Sequence, residues 1–227
     1  MKKGLFFLLL FTISLLTFSE KSNFENGGIS YKNGDFSASE QYYLKAIDEG
    51  NVQAYSNLGI VYAKQGNNKL AEKYLKMGVE KNVPEAMFSL GFFYNSQKKD
   101  NLAEKYWKMG SDTGDGDSMN SLGVLYYKQN KIDLAEKYWK MSSDKNNVNS
   151  MNKLGALYLT QKKLDLAEVY LKKSIATDDT EGLRLYGFLC VQKGNLDEAA
   201  IYLNKAADKG DTAAKEVLKS LEKLKNK

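Results

Sequence analysis

The sequence predicts an all-α protein, a solenoid of antiparallel helix pairs that repeat every 32 residues and end in a capping helix. A leucine-glycine or similar pair recurs at this step, at Leu58-Gly59, Leu90-Gly91, Leu122-Gly123, Leu154-Gly155 and Tyr186-Gly187. Alanine and tyrosine recur in the same phase, at Ala71, Ala103, Ala135, Ala167 and Ala199, and at Tyr74, Tyr106, Tyr138, Tyr170 and Tyr202. A pattern that returns in phase in this way defines a repeat array.

The repeats are predicted at residues 54–85, 86–117, 118–149, 150–181 and 182–213, after a less regular leader unit at about 22–53. In the leader, Gly28-Ile29-Ser30-Tyr31 matches Gly59-Ile60-Val61-Tyr62 only if one residue is lost before Gly34. We expect the first helix of the leader to be the least stable. Residues 214–227 carry one apolar stripe among lysines, which predicts a solubilising end cap.

Each repeat contains two segments with apolar residues at helical spacing, so each is predicted to be a helical hairpin. The second segment ends in residue types that tolerate left-handed backbone, namely Gly50, Asn82, Gly114, Asn146, Asp178 and Gly210. The residues after them include side chains that can cap the next helix, namely Asn51, Asp115, Asn147, Asp179 and Asp211.

The N-terminus has the pattern of a secretory signal peptide. Met1-Lys2-Lys3 precedes an apolar run from about Gly4 to Phe18, and small residues at Thr17 and Ser19 suit cleavage before Glu20. The run is shorter than the ~18 to 20 residues that span a membrane, so a signal anchor is the weaker interpretation. We expect an exported protein, periplasmic or secreted, with no stable membrane anchor after removal of residues 1–19.

The composition excludes several kinds of site. The chain has no histidine and one cysteine, Cys190, so it cannot supply a histidine base, a cysteine-histidine pair, an ordinary zinc site or an internal disulfide. Every basic residue except Arg184 is lysine, which removes the guanidinium forks that phosphates and guanine favour. We therefore expect no cofactor, no metal and no nucleic-acid partner.

The motif from Leu58-Gly59 through Tyr62 and Gly66 to Ala71 resembles a tetratricopeptide repeat. The close of each unit, such as Lys205-Ala206-Ala207-Asp208-Lys209-Gly210, is similar to the related Sel-like repeats, of the kind without disulfide bridges. The resemblance covers about residues 26–213. It implies a right-handed α/α solenoid, with the first helices lining a concave groove, and a scaffold for a protein partner.

By phase, the groove face of the first helices should carry Ile60, Phe88, Phe92, Asn95, Val124, Tyr127, Asn152, Leu159, Arg184 and Phe188. These residues are mainly apolar and aromatic. A groove that reads a terminal carboxylate would need polar residues in a row of positions that are apolar here, so we do not expect that kind of groove. These positions are Ile60, Phe92, Val124, Ala156 and Phe188.

Other patterns have both a functional and a structural interpretation, and we favour the structural one. Four glutamate-lysine pairs stand four residues apart on the second helices, at Glu72 and Lys76, Glu104 and Lys108, Glu136 and Lys140, and Glu168 and Lys172. They could form a docking stripe, but a solvated outer face explains them. Acids near the starts of first helices, at Glu85, Asp117 and Glu181, suit the helix dipole better than a hydrolase site.

Three further patterns are interpreted in the same way. The segment Asp112 to Asp117 lacks calcium-loop spacing and fits a helix-ending turn. The aromatic rows, Trp107 and Trp139 and the tyrosines at 62, 94, 126 and 158, are expected in the core. Cys190 replaces the next tyrosine of that row and should be a buried, inert thiol.

The sequence thus predicts a non-catalytic protein-protein interaction scaffold of the bacterial cell envelope or exterior. It would bind a peptide or protein partner in its groove. A peptidoglycan or glycan binding module is the first alternative, and a hydrolase is the second.

Overall fold

A computed structural model of the protein describes residues 21–225, with side chains up to residue 221. The regular elements of this part are all α-helices: α1 Asn23–Lys32, α2 Phe36–Asp48, α3 Ala54–Lys64, α4 Asn68–Glu80, α5 Pro84–Ser96, α6 Asp100–Asp112, α7 Gly116–Lys128, α8 Ile132–Ser143, α9 Val148–Thr160, α10 Leu164–Ile175, α11 Thr180–Gln192, α12 Leu196–Asp208 and α13 Thr212–Lys225. The predicted all-α fold of repeated helix pairs is confirmed. The predicted signal peptide, residues 1–19, lies outside the described residues.

The helices belong to two compact units, one ending at Phe93 and the other beginning at Tyr94, so the division falls within α5. In the first unit α1 packs on α2, α2 on α3, and α3 on α4. In the second unit each helix from α6 to α13 packs on the next. The capping helix α13 buries Ala214 and Leu221.

Within the described residues, each turn between successive helices contains one residue with left-handed backbone, and these residues recur every 16 positions. Six of these positions are glycines, and the others are Asn82, Lys98, Asn130, Asn146, Lys162 and Asp178. The six positions predicted between repeats all have positive φ. The sequence pattern did not single out the turns inside each repeat, because Lys98 and Lys162 are residue types that seldom adopt this conformation.

The predicted capping side chains bond the starts of the first helices. Asp115, Asp179 and Asp211 accept hydrogen bonds from backbone amides three residues on, at 2.8 to 2.9 Å, and Asn147 does so at 3.0 Å. Asn51 accepts from the amide of Gln53 at 3.1 Å. These bonds satisfy amides that a helix start leaves without partners.

Four glycines of the repeated pairs, Gly59, Gly123, Gly155 and Gly187, let the second helix of their hairpin approach the first. A Cβ on Gly123 would lie 2.4 Å from the Trp139 ring, and one on Gly155 would lie 2.3 Å from Leu171. The alanines at 71, 103, 135, 167 and 199 are fully buried. The repeated residues are therefore the core of the hairpins.

The leader unit keeps the register of the other repeats. A Cβ on Gly27 would lie 2.7 Å from Tyr43, as one on Gly59 would lie 2.5 Å from Leu75, and both members of the first pair precede the second by 32 residues. The alignment of Gly28 with Gly59, which required the loss of one residue before Gly34, is therefore wrong, and Gly27 takes the place of Gly59. Only one residue of α1, Gly27, is buried, and the helix starts with a capping box between Ser22 and Glu25.

Candidate functional site

The groove face in the first unit is open at three aromatic or aliphatic positions. Phe92 is 62% exposed, and Ile60 and Phe88 are partly exposed. Large apolar side chains that are exposed in this way add little to folding, and where they form a contiguous patch they mark binding surfaces.

In the second unit, Tyr127 is the most exposed predicted residue of the groove face, at 49%. Asn95, Val124 and Phe188 are partly exposed. Arg184 is also partly exposed, but its guanidinium binds Asp211 at 2.9 Å and approaches Glu181 at 3.6 Å. Arg184 thus ties α11 to the start of α13.

Two predicted residues of the groove face are buried. Asn152 is 2% exposed: its amide donates to Asp179 at 2.7 Å, and its carbonyl oxygen accepts from Ser174 at 2.5 Å. Leu159 is 7% exposed. Their placement on the open face is wrong, because α9 is covered by helices on both sides, including α11. Asn152 belongs to a buried polar network of α9, α10 and the turn before α11.

A cavity of about 410 Å³ opens among α7, α8 and α9, beside Tyr127. Its walls include Val124, Tyr127, Lys128, Trp139, Lys153 and Ala156. The rings of Tyr127 and Trp139 lie 5.5 Å apart and tilted, with Trp139 almost fully buried. Ala156 stands where the repeats 64 residues before and 32 residues after carry Phe92 and Phe188. Its small side chain leaves space that an aromatic ring would occupy.

The cavity is bordered by positive charge. Lys128 and Lys153 line it, and no acidic side chain does. Neither lysine has an ion-pair partner among the side chains described. An anionic group at this edge would therefore meet two cations that the protein itself does not neutralise.

Sequence reasoning missed five of the residues that line the cavity, namely Lys128, Trp139, Lys153, Leu157 and Thr160. Trp139 is a core residue, as its phase predicts, yet one side of its ring faces the cavity. The sequence did contain one indication that Lys153 belongs to this surface. Lys153 lies one helical turn before Ala156 and therefore on the same face of its helix, whereas the preceding repeat has Ser121 at the position of Lys153.

A second polar arrangement links successive repeats. The hydroxyl of Tyr126 donates to Glu104 at 2.8 Å, and that of Tyr158 donates to Glu136 at 2.8 Å. In the first unit Tyr62 donates to Glu40 at 2.9 Å. We call this arrangement the tyrosine-glutamate seam.

The predicted glutamate-lysine pairs form, at 2.5 to 2.6 Å. Their interpretation as a solvated outer face is only partly right, since Glu104 and Glu136 are about three-quarters buried and accept the hydrogen bonds of the seam.

The charges and burial of the seam shift the pKa values of its groups. The hydrogen bond from Lys108 is the main cause that lowers the pKa of Glu104. Burial raises the pKa of Glu136, but hydrogen bonds from Lys140 and Tyr158 outweigh it and lower that pKa overall. The pKa of Tyr126 is raised to about 12, mainly by burial and next by the hydrogen bond to Glu104.

The residues weighed as catalytic or metal-binding lie at helix starts and in a turn, where the structural interpretation places them. Glu85, Asp117 and Glu181 lie in the first turns of α5, α7 and α11. In the segment from Asp112, Gly114 forms the left-handed turn and Asp115 caps α7. Over residues 21–221, no three potential metal ligands cluster. No helix in the described range is both long and apolar enough to span a bilayer.

The geometry above is that of a helical repeat scaffold, and comparison with known families agrees. Two tetratricopeptide repeat profiles match the chain, one at residues 29–99 and the other at residues 116–142 and 148–177, which together exceed half of its length. The chain belongs to the tetratricopeptide repeat family. Proteins built on this fold are generally non-catalytic scaffolds that bind protein or peptide partners. No curated protein matches the chain in sequence.

Solved structures with the same fold include Sel-like repeat proteins. The protective antigen c5321 of uropathogenic Escherichia coli, with an SLR fold, is 19% identical at a TM-score of 0.72, over 86% of this chain and 47% of that one. This chain thus spans about half of that protein. A Sel1 repeat protein from Oxalobacter formigenes is 17% identical at a TM-score of 0.69, over 88% and 87% of the two chains.

A third similar structure is that of YrrB, described as a tetratricopeptide repeat protein with an unusual peptide-binding site. It is 20% identical at a TM-score of 0.54, over 78% of this chain and 97% of its own. At such identities these likenesses show the fold alone.

Proposed function

We propose that the protein is a non-catalytic scaffold of the bacterial cell envelope or exterior, and that it binds a protein or peptide partner through its groove face. The observation that carries the proposal is the open apolar cavity beside the half-exposed Tyr127. A cavity of this size, lined mainly by apolar groups with a few polar ones, is typical of a binding site.

The chemistry of the cavity favours a peptide over the alternatives. A hydrolase would need positioned acid, base or nucleophilic groups, whereas the cavity is lined by aromatic and aliphatic side chains with lysines and Thr160. Sugars are held by arrays of hydrogen bonds and by stacking on exposed aromatic faces. These walls supply few hydrogen-bonding groups, and Trp139 is almost fully buried, which leaves Tyr127 as the one half-exposed ring of the lining. The peptide-binding site named for YrrB supports the proposal by analogy of fold.

The proposal is tested by covalent capture in the native organism. A photoreactive amino acid at the position of Tyr127 should form an adduct with one protein of the envelope or medium. The same group at Lys219, an exposed residue of α13, is the matched control. Adducts of equal yield and composition at the two positions would refute a binding role for the groove face.

Export is tested separately. The signal-peptide pattern leads us to propose that the mature protein begins at or near Glu20. N-terminal sequencing of the native protein measures this directly. An intact Met1 terminus in the membrane fraction would favour a signal anchor instead.

A further inference from the structure

We propose that the cavity among α7, α8 and α9 receives one large apolar side chain of an acidic peptide segment, whose carboxylates bind Lys128 and Lys153. This inference rests on the proposed function and names the chemistry of the partner. It concerns one subsite in the second unit, built by Tyr127, Trp139 and Ala156 with the two lysines.

The shape of the cavity selects an apolar anchor. Val124, Trp139 and Ala156 present carbon surface, and Tyr127 lies at the side as a half-exposed ring. The volume of about 410 Å³ is at the lower end of the ~300 to 1,000 Å³ usual for ligand sites. It has room for an aromatic or long aliphatic side chain of a partner, and burying that side chain supplies favourable free energy.

The charge of the same surface selects acidic neighbours for that anchor. Helix α9 contains no acidic residue, and the single acid of α7, Asp117, lies in its first turn and accepts a hydrogen bond from Asn147. Some other lysines of this unit are neutralised by carboxylates, as Lys140 is by Glu136 at 2.5 Å. Lys128 and Lys153 keep their positive charge beside the cavity, so carboxylates of a partner complement them.

The combination occurs once among the first helices of the second unit. The position of Lys153 is Ser121 in the preceding repeat and Leu185 in the following one. The position of Lys128 is Thr160 and then Gln192 in the next two repeats. A single subsite predicts recognition of a short motif, one apolar residue flanked by acids, and not of a ligand that repeats along the array.

The experiment is a selection of random short peptides displayed on phage against the purified mature chain, followed by binding of the enriched peptide to variants. We expect enriched sequences with a large apolar residue beside Asp or Glu. The Lys128→Glu, Lys153→Glu double variant should bind the enriched peptide about tenfold more weakly or worse, because two attractions become repulsions. Binding by the wild type should also weaken as salt rises.

Two variants separate the charge from the cavity and from misfolding. Ala156→Phe fills the cavity with the ring that Phe188 carries one repeat later, so it should abolish binding while the chain stays folded. Lys215→Glu with Lys219→Glu makes the same change of net charge at two exposed residues of α13 and should leave binding unchanged. Circular dichroism confirms that each variant is folded.

The possible failures are distinguishable. Enriched peptides that bind all of these variants equally, or that are basic or neutral, would overturn the subsite and leave the proposed function standing. A selection that enriches nothing would count against both. A dimer that Ala156→Phe dissociates in gel filtration would show that a second copy occupies the cavity, which also overturns the inference.

Discussion

The hydroxyl of Tyr158 in α9 donates a 2.8 Å hydrogen bond to Glu136 in α8, one repeat earlier. Tyr158 is fully buried, so its phenol has no access to water as an alternative partner. The bond therefore joins the core of one hairpin to the charged pair of the previous one.

Replacing Tyr158 by Phe should lower the free energy of unfolding by about 1 to 2 kcal/mol, because a buried hydrogen bond to a charged group is lost. Urea unfolding followed by circular dichroism measures the change. Tyr138→Phe is the matched control, since the Tyr138 hydroxyl has no hydrogen-bond partner among residues 21–221. Equal losses in the two variants would mean that the seam contributes nothing specific.

Acid should weaken the seam. The pKa values of Glu104 and Glu136 are lowered by folding, so their contribution to stability is present above the ordinary value of 4.5 and is lost as pH falls through the lower folded values. We expect the melting temperature of the wild type to fall more steeply below pH 4.5 than that of a Glu104→Gln, Glu136→Gln variant. Thermal scans at a series of pH values test this, and parallel curves would contradict it.

Cys190 should react with thiol reagents only after unfolding. Its side chain is 3% exposed, and burial is the main cause that raises the pKa of its thiol to about 12. The thiolate that attacks such reagents is therefore scarce as well as covered. One helical turn before Cys190, the ring of Tyr186 packs edge to face on that of Tyr202, with the ring centroids 4.6 Å apart. Rapid native labelling, compared with labelling in denaturant, would show that the last full repeat opens locally.

Lys162 should be a site where a glycine stabilises the fold. Its φ of 55° is left-handed, which costs a residue with a Cβ more than it costs glycine. Lys162→Gly should raise the free energy of unfolding by about 0.5 to 1 kcal/mol, after the extra freedom of glycine in the unfolded chain is deducted. Lys162→Ala removes the same charge but keeps the Cβ, so chemical denaturation of both variants isolates the backbone effect. A gain with Ala as large as with Gly would refute this explanation.

Changing Phe92 and Tyr127 together to Ser should weaken partner binding by about tenfold or more while stability falls little, because aromatic anchors dominate interfaces. Val169→Ser with Ile201→Ser removes apolar side chains of similar exposure, 52% and 56%, from second helices. Binding should persist in that control. A sharp fall of melting temperature in the first variant would instead identify both aromatic residues as ordinary packing.

Particular residues show how far the sequence carries this structure. The alanine and leucine-glycine rows recur in phase, so the hairpins and their core could be predicted from spacing alone. The burial of Asn152 could not, because it depends on Ser174 and Asp179, which belong to α10 and the following turn. The leader was misaligned because Gly27 and Gly28 are adjacent, and only the contact with Tyr43 decides between them.

The seam joins residues that are always 22 positions apart in sequence, Tyr62 to Glu40, Tyr126 to Glu104, and Tyr158 to Glu136. Excising residues 118–149 would leave Tyr158 at that same separation from Glu104, with an unchanged bond available to it. The array can therefore shrink or grow by whole repeats during evolution without new contacts being invented at the junction. The last repeat is the exception, since Cys190 replaces the tyrosine there and Lys193 reaches Glu168 in its place. If residues 182–213 were duplicated, the second copy of Lys193 would face Ala200, which stands 32 residues after Glu168. The ion pair could not form there, so the array grows more easily upstream of α11 than downstream.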